Sequence, residues 1–446
     1  MVAGYAENNW DTRSNRANSA TGTTSGSGGT DDEWLRLSRH AYESSTDFVN
    51  ANLRSLWEDN LRLWSGRHLT GSKYYSADYK ARSKLFRPKT RSQIRKSEAA
   101  AAAAFFSRQD AVNIGPINDS DEFQLAGAEM MSELVNHRLG VNGASANTVK
   151  WFQTLMGAWQ SSRIHGCVTS KQYWRYEDRV ISEEPVMDQF GQPVFDENGE
   201  PAIDEVVEVL HDEPVVRLIA PENLRIDAGA DWMDPINSSP FLIELIPMYV
   251  VDVKSRMERT DPKTGQPDWK HMEDGQIRAA IRSGNDYNST RQAREGYRQD
   301  AKDASASNRP RDYEIVWVHE NIMRKDGKDV VFYTLGCDER LTDPKPLDEV
   351  YDHCAEGERP YVMGIGLLEA FKTFPAGIPE LTKSLQLETN EVTNTRLDNV
   401  KIAMNGRPIV RRGAKVDLNA LRRHVPGGIV LAETWRRIST SIARPM

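Results

Sequence analysis

The feature of this sequence that most restricts its fold is a run of 26 residues, Glu380 to Asn405, that contains neither glycine nor proline. Pro379, just before it, suits the first turn of a helix because proline fixes φ and no N–H is needed there. At about 1.5 Å per residue, a helix over the whole run would be about 39 Å long. Few globular helices reach this length, so the fold must provide a long surface along which the helix can lie.

The predicted helix is also unusually polar. Five apolar residues form a thin stripe, and polar side chains occupy nearly every other face. Such a helix fits poorly in the centre of a monomeric core and is better explained by side-by-side packing with copies of itself across a wet interface. The alternative is a solvent-exposed helix on a large domain. The stripe consists of Leu381, Leu385, Val392, Val400 and Ala403.

The rest of the chain predicts an α+β fold. Residues 1–32 are rich in Asn, Ser, Thr and Gly, which favours a disordered tail. Apolar residues recur at helical spacing up to Ile164, and the pattern alternates as in strands from His165 onward. The clearest strand signal is a hairpin at Asp326-Gly327, and Asn198-Gly199 predicts another, because tight primed turns prefer both dipeptides.

One predicted helix, from about Arg91 to Arg108, begins with an excess of positive charge. Six consecutive alanines make it a strong helix former. Basic side chains at a helix N-terminus oppose the helix dipole, so this start needs carboxylate or phosphate neighbours from elsewhere. The residues concerned are Lys89, Arg91, Arg95 and Lys96.

Composition excludes several classes of protein. The net charge of -8 lacks the overall basic footprint of a protein that grips nucleic acid tightly. No segment reaches the roughly 18 apolar residues of a spanning helix, so no membrane association is expected. Three scattered cysteines do not form a disulfide framework, which favours the cytoplasm. Phosphate-loop, zinc-protease and nucleophile-elbow motifs are absent, so neither enzyme activity nor a cofactor is predicted.

The best metal candidate is the loop that carries Asp227, Asp231 and Asp234, whose oxygens suit a hard cation such as magnesium. Aspartate also stabilises turns by accepting hydrogen bonds from its own backbone, and the loop contains Gly229 and Pro235, so a structural turn is the favoured interpretation. If the metal interpretation held, the chain would be a divalent-metal-dependent nuclease or phosphotransferase. A monomeric scaffold or adaptor protein is a further alternative.

The order of several short motifs resembles that of portal proteins, the head-to-tail connectors of tailed double-stranded DNA bacteriophages. The motifs are individually weak, but they follow one another with a polar helix and a small β module between the second and the third. The resemblance covers roughly residues 35–432. The motifs are Ile219–Asp227, Asp234–Pro235, Phe374–Leu381 and Leu385–Glu391.

The resemblance implies a division into the parts of a portal subunit. After the tail, a mainly helical wing with β-sheet parts would be followed by two long stem helices with a small β-containing clip between them. The chain would then return to the wing and end before the tunnel and crown parts. The implied ranges are 1–32 for the tail, 33–272 for the wing, 273–308 and 377–405 for the stem helices, 309–376 for the clip and 406–446 for the wing return.

The resemblance also implies a ring of about twelve subunits at one capsid vertex of the virion, assembled in the host cytoplasm. Double-stranded DNA would pass through its channel during packaging and ejection. The partners would be the terminase large subunit, a tail adaptor, and the major capsid and scaffolding proteins. In such a ring the subunit contacts or the channel would involve Gln386, Asn390, Asn394 and Arg396.

Overall fold

A computed structural model describes most of the chain between Asp31 and Met404. Some predictions lie outside the described residues: the tail up to residue 30, the Asn198-Gly199 turn, most of the first stem region and the wing return. The described residues are 31–80, 82–107, 110–118, 121–140, 149–185, 203–259, 267–283, 290–291, 294, 313–355 and 357–404.

Helices dominate the N-terminal part, as the sequence predicts. A π-helical turn at Val49–Leu53 joins α1 to α2, and short 3₁₀ turns occupy Lys73–Tyr75, Ala77–Tyr79 and Pro221–Asn223. The α-helices are α1 Asp31–Phe48, α2 Arg54–Trp64, α3 Lys89–Phe105, α4 Glu122–Arg138, α5 Trp151–His165, α6 Pro235–Ser238, α7 Val250–Glu258, α8 Asp274–Ser283, α9 Leu347–Val350, α10 Ile378–Leu381 and α11 Lys383–Met404.

The strands form two antiparallel sheets in the described part of the chain. The first has the order β2-β1-β9, and the second has the order β3-β4-β5-β6-β7, with β8 also paired to β6. Helices and sheets together confirm the predicted α+β class. The strands are β1 Cys167–Pro185, β2 Ile203–Ile219, β3 Leu224–Ile226, β4 Phe241–Tyr249, β5 Ile315–Lys325, β6 Lys328–Leu335, β7 Glu339–Arg340, β8 Lys345–Pro346 and β9 Tyr361–Ile365.

Two glycine-containing turns fix the geometry of these elements. Asp326 (φ 53°) and Gly327 (φ 78°) both have positive φ, which is the conformation of the primed turn predicted for the β5–β6 hairpin. Gly166 ends α5 with a φ of 92°, and a Cβ atom there would lie 1.9 Å from the Pro375 carbonyl oxygen. Only glycine therefore allows β1 to start directly after α5 beneath that loop.

The range predicted for the clip, residues 309–376, contributes strands to both sheets. Its hairpin strand β5 pairs with β4 over nine residues, from Phe241↔Met323 to Tyr249↔Ile315. Its last strand, β9, pairs with β1 from Cys167↔Ile365 to Lys171↔Tyr361. The predicted boundary between wing and clip stays a prediction, and these pairings join strands from both sides of it. Local turn signals identify a hairpin, but they do not show which distant strand it joins.

The two sheets meet around a cluster of buried charges. The Lys171 ammonium of β1 bonds the Glu320 carboxylate of β5 and lies 3.9 Å from the Glu244 carboxylate of β4. Arg217 of β2 pairs with Glu244 at 2.6 Å. The Tyr361 hydroxyl donates to Glu244 at 2.9 Å and lies 3.1 Å from Glu320. These contacts link the three strands β1, β2 and β9 of the first sheet to the two strands β4 and β5 of the second, and we call the set the buried charge cluster.

Candidate functional site

The long C-terminal helix is present, as the sequence predicts. It consists of a short first turn, α10, and the 22-residue helix α11, Lys383–Met404. Its side facing the chain is polar. Gln386, Asn390 and Asn394 are 2%, 0% and 0% exposed, so the buried stripe of this helix is made of amides.

The amide stripe binds an extended segment of the same chain, residues 83–89. Four side-chain oxygens, spaced four residues apart on α11, accept hydrogen bonds from four backbone N–H groups, spaced two residues apart on the segment. We call this arrangement the amide ladder. The bonds run from Ser83 N to Asp398 (2.8 Å), Leu85 N to Asn394 (2.8 Å), Arg87 N to Asn390 (2.9 Å) and Lys89 N to Gln386 (3.0 Å).

The ladder forms because the two repeats have nearly the same length. Four residues of α-helix rise about 6 Å, and two residues of extended chain span about 6.6 Å. The segment runs antiparallel to the helix. Two amides also donate in return: Asn394 Nδ2 to the Leu85 carbonyl at 2.9 Å and Gln386 Nε2 to the Arg87 carbonyl at 2.5 Å. The helix thus presents to the segment the donors and acceptors that a neighbouring strand would offer.

The end of the ladder at Gln386 also caps helix α3. The residue before α3 is Pro88, which provides no side-chain cap. The Gln386 Oε1 atom accepts hydrogen bonds from Lys89 N at 3.0 Å and from Thr90 N at 3.1 Å instead. These N–H groups belong to the first helical turn, where no intrahelical acceptor exists. A glutamine on one helix therefore satisfies the start of another.

Two lysines and one glutamate add contacts at the edge of the ladder. The Lys73 ammonium lies 2.6 Å from the Glu391 carboxylate, and the Tyr74 hydroxyl donates to the same carboxylate at 3.0 Å. The hydrogen bond from Lys73 lowers the pKa of Glu391, which keeps this carboxylate ionised. At the other end, Lys401 Nζ donates to Ser83 Oγ at 2.7 Å.

Three of the four candidate residues have partners within their own chain. Gln386, Asn390 and Asn394 are buried against residues 83–89, whose backbone supplies their hydrogen-bond partners. Their predicted position at subunit contacts or near the channel stays a prediction. Arg396, the fourth candidate, is exposed.

The apolar stripe of α11 faces away from the chain. Val392 is two residues from both Asn390 and Asn394, so it lies about 200° around the helix from each. Leu381, Leu385 and Val392 are 55%, 63% and 60% exposed. The helix is thus polar towards its own chain and apolar on its outer face, and we call this outer surface the outer stripe.

A substitution in the ladder tests its contribution. Asn390→Ala leaves the partly buried Arg87 N–H without an acceptor, so we expect the free energy of unfolding to fall by about 1–3 kcal/mol. Urea unfolding of the two proteins measures the difference. Asn399→Ala is the matched control, because Asn399 is exposed on the same helix and its replacement should cost less than about 0.5 kcal/mol. Equal losses for the two variants would contradict the ladder's role.

The three aspartates of the metal candidate stabilise turns instead. Asp227 Oδ1 accepts from Gly229 N at 3.0 Å, and Asp231 Oδ1 accepts from Met233 N at 3.1 Å. Asp234 caps α6 by accepting from Asn237 N at 3.2 Å. Among the described residues, no group of three His, Cys, Asp or Glu side chains could hold a metal ion. These carboxylates therefore point to local backbone partners rather than to a common centre.

The comparison with protein families decides the classification. The model of the family described as "Phage SU10 portal protein" matches residues 34–439, which is most of the chain. The chain belongs to this family. The resemblance to portal proteins inferred from the order of its motifs is confirmed. No curated protein matches the chain. Within the described part of this portal-family chain, none of the helices has the length and apolar character needed to cross a bilayer.

Sequence reasoning missed the partner of the long helix in this portal-family chain. The signal was present, because Gln386, Asn390, Asn394 and Asp398 recur at intervals of four and so share one helical face. Residues 83–89 have no comparable signal, since the ladder binds their backbone and not their side chains. The members of the buried charge cluster were also missed, because they are scattered between residues 171 and 361.

Proposed function

We propose that this chain forms a ring at one vertex of a phage capsid and serves as a passive channel for DNA packaging and ejection. The observation that carries the proposal is the family match over residues 34–439, taken together with a 22-residue helix whose apolar side is exposed. Portal proteins are structural components of the phage particle, so the proposed role requires assembly and passage of DNA rather than catalysis.

The outer stripe supplies one of the surfaces that a ring needs. Rings form through head-to-tail contacts, in which two different surfaces of the same chain meet. Leu381, Leu385 and Val392 expose a line of apolar side chains along α10 and α11, and burial of such a line by a neighbour is favourable at about 25 cal/mol per Å². In the proposed ring, the outer stripe of each subunit packs against the next subunit.

The proposed partners follow from the same role. Double-stranded DNA passes through the channel, the terminase large subunit and then a tail adaptor dock on the ring, and the major capsid and scaffolding proteins surround it. Assembly takes place in the host cytoplasm, and ATP hydrolysis belongs to the terminase. The net charge of -8 supports passage, because the chain as a whole has the same sign of charge as the phosphates of DNA.

The mass of the protein in solution tests the ring. We expect an assembly of about twelve subunits, far heavier than the 50.4 kDa of one chain. Light scattering or mass photometry over a range of protein concentrations measures it. A particle that stays at the mass of one chain at every concentration would contradict the proposed ring and favour a monomeric adaptor.

A charge placed in the outer stripe tests the subunit contact itself. Val392→Glu is expected to shift the population from rings to single chains by at least about tenfold, because a carboxylate would have to be buried in an apolar contact. Val251→Glu is the control, since Val251 is an exposed valine on the separate helix α7. If the two variants assemble equally well, the outer stripe is not the contact.

A further inference from the structure

A short stretch of the chain, residues 80–96, is strongly basic. It contains eight lysines and arginines and no acidic residue, although the whole chain carries a net charge of -8. The stretch includes the ladder segment and the first turns of α3. We call these eight residues the basic strip: Lys80, Arg82, Lys84, Arg87, Lys89, Arg91, Arg95 and Lys96.

All eight residues of the basic strip are exposed. Arg95 pairs with Glu98 at 2.8 Å, and the Asp398 carboxylate lies within electrostatic reach of Arg82. The other six make no ion pair with any residue that the structure describes. The described part of the chain therefore leaves six positive charges close together on the surface without an ion-pair partner.

The amide ladder is what keeps these charges in place. It binds the backbone of residues 83–89 through uncharged amides and one carboxylate, Asp398. At the start of α3, where basic residues oppose the helix dipole, the cap is the neutral oxygen of Gln386. Apart from Glu98, which pairs with Arg95, the described part of the chain provides no carboxylate partner for the basic residues of this helix start.

Two arginines of the strip stack on one aromatic ring, and Arg91, the one of the two without an ion pair to a described residue, is held in a form suited to phosphate. The guanidinium groups of Arg91 and Arg95 lie 5.2 Å and 5.3 Å from the centre of the Trp64 ring. A guanidinium over an aromatic ring keeps a fixed orientation, and its N–H groups can then meet a phosphate in two parallel hydrogen bonds. The strip thus combines flexible lysines with oriented arginines.

We propose that the basic strip binds the phosphate backbone of double-stranded DNA. The charge complementarity alone selects a polyanion, and the choice of DNA rests on the proposed function. The contacts are to phosphates and carry no base preference, because long basic side chains on an exposed strip supply positive charge and no groove-reading element. Binding by a few phosphates is weak at physiological salt, so the strip contacts DNA without blocking its movement.

The salt dependence of DNA binding tests the proposal. The full-length protein is titrated into a fluorescent, mixed-sequence DNA duplex at several salt concentrations, and the anisotropy gives the binding constant. In the variant Lys84→Gln/Arg87→Gln/Lys89→Gln the ladder is retained, because it uses the backbone N–H groups of residues 87 and 89. Three lost phosphate contacts should flatten the log–log salt slope by up to about 2.7 and weaken binding at least about tenfold at low salt.

Two matched variants separate local charge from other effects. Lys84→Arg/Arg87→Lys/Lys89→Arg keeps the charge and should bind as the unchanged protein does. Arg36→Gln/Lys328→Gln/Lys345→Gln removes three exposed positive charges elsewhere and should change the salt slope by less than about one. An equal loss of binding in this control and in the strip variant would overturn the proposal.

Other outcomes also decide between explanations. Binding of the unchanged protein to phosphatidylserine vesicles but not to DNA would assign the strip to a membrane surface and overturn the proposal. The mass of each sample is measured in parallel. Rings that do not bind DNA would contradict DNA binding by the basic strip and leave the proposed ring intact. Single chains that bind DNA but never assemble would contradict the proposed ring and leave DNA binding by the strip intact.

Discussion

Replacing Lys171 with methionine is expected to lower the free energy of unfolding by about 3–5 kcal/mol, because removing one partner leaves buried charge uncompensated. Lys171 is 5% exposed, and its ammonium bonds the fully buried carboxylate of Glu320. Without it, the carboxylates of Glu320 and Glu244 remain together in the buried charge cluster. Urea unfolding of the variant and the unchanged protein measures the loss.

The pKa shifts of the two carboxylates show which of them Lys171 stabilises. Burial raises the pKa of Glu320, but the Lys171 ammonium and the hydrogen bonds from Lys171, Tyr351 and Tyr361 outweigh burial and hold this pKa below its usual value. For Glu244, burial dominates, and its pKa is raised. Glu320 is therefore the carboxylate that Lys171 chiefly stabilises.

A double-mutant cycle separates this charge effect from lost packing. Adding Glu320→Gln to the Lys171→Met variant removes one of the two carboxylates. The free energy of unfolding lost by the double variant should therefore be smaller than the sum of the losses of the two single variants. Lys345→Met is the control, since Lys345 and Glu349 form a half-exposed pair whose loss should cost less than about 1 kcal/mol. Strict additivity would show that Lys171 and Glu320 are not energetically coupled.

Mild acid is expected to destabilise the protein through two buried histidines. Burial lowers the pKa of His165 from 6.5 to about 4 and that of His319 from 6.5 to about 3. In the unfolded chain each histidine binds a proton as the pH falls through about 6.5. In the folded chain this happens only when the pH falls to about 4 for His165 and about 3 for His319. Stability is therefore retained above pH 6.5 and falls as the pH drops towards 4, by about 1.4 kcal/mol per pH unit for each histidine.

Urea unfolding at pH 7.5 and pH 5 measures the effect, and the expected difference is about 4 kcal/mol for the two histidines together. The variant His319→Phe retains a ring that can stack on Tyr42, whose centroid lies 5.0 Å from that of His319, and should show about half this difference. His271→Phe is the control at an exposed histidine and should retain the full difference. A pH dependence that survives His319→Phe unchanged would contradict the assignment.

Much of the secondary structure could be predicted from the sequence. The helix at Lys383–Met404 follows from the absence of glycine and proline, and the β5–β6 hairpin follows from Asp326-Gly327. These signals are local, so they do not depend on the rest of the fold. The partners of the strands could not be predicted, since β9 lies about 190 residues from β1 in the sequence, and periodicity gives no information over that distance.

The orientation of the long helix could not be predicted either. The usual interpretation of an amphipathic helix places its apolar face against the protein and its polar face in water. On α11 the inside is the backbone of residues 83–89, which needs hydrogen bonds, so Asn390 and Asn394 are buried while Leu385 and Val392 are exposed. The interpretation of this helix as a surface for neighbouring copies stays a prediction, now with the outer stripe as its contact.

The pairing of β1 with β9 has a consequence for synthesis of the protein. Lys171 pairs with Tyr361, and residues 83–89 bind residues 386–398, so neither contact can form until nearly the whole chain has left the ribosome. Contacts between such distant residues make folding slow and expose unpaired strand edges in the meantime. We therefore expect β1 to lack its β9 partner during most of translation, and an unpaired strand edge of this kind favours association with other chains.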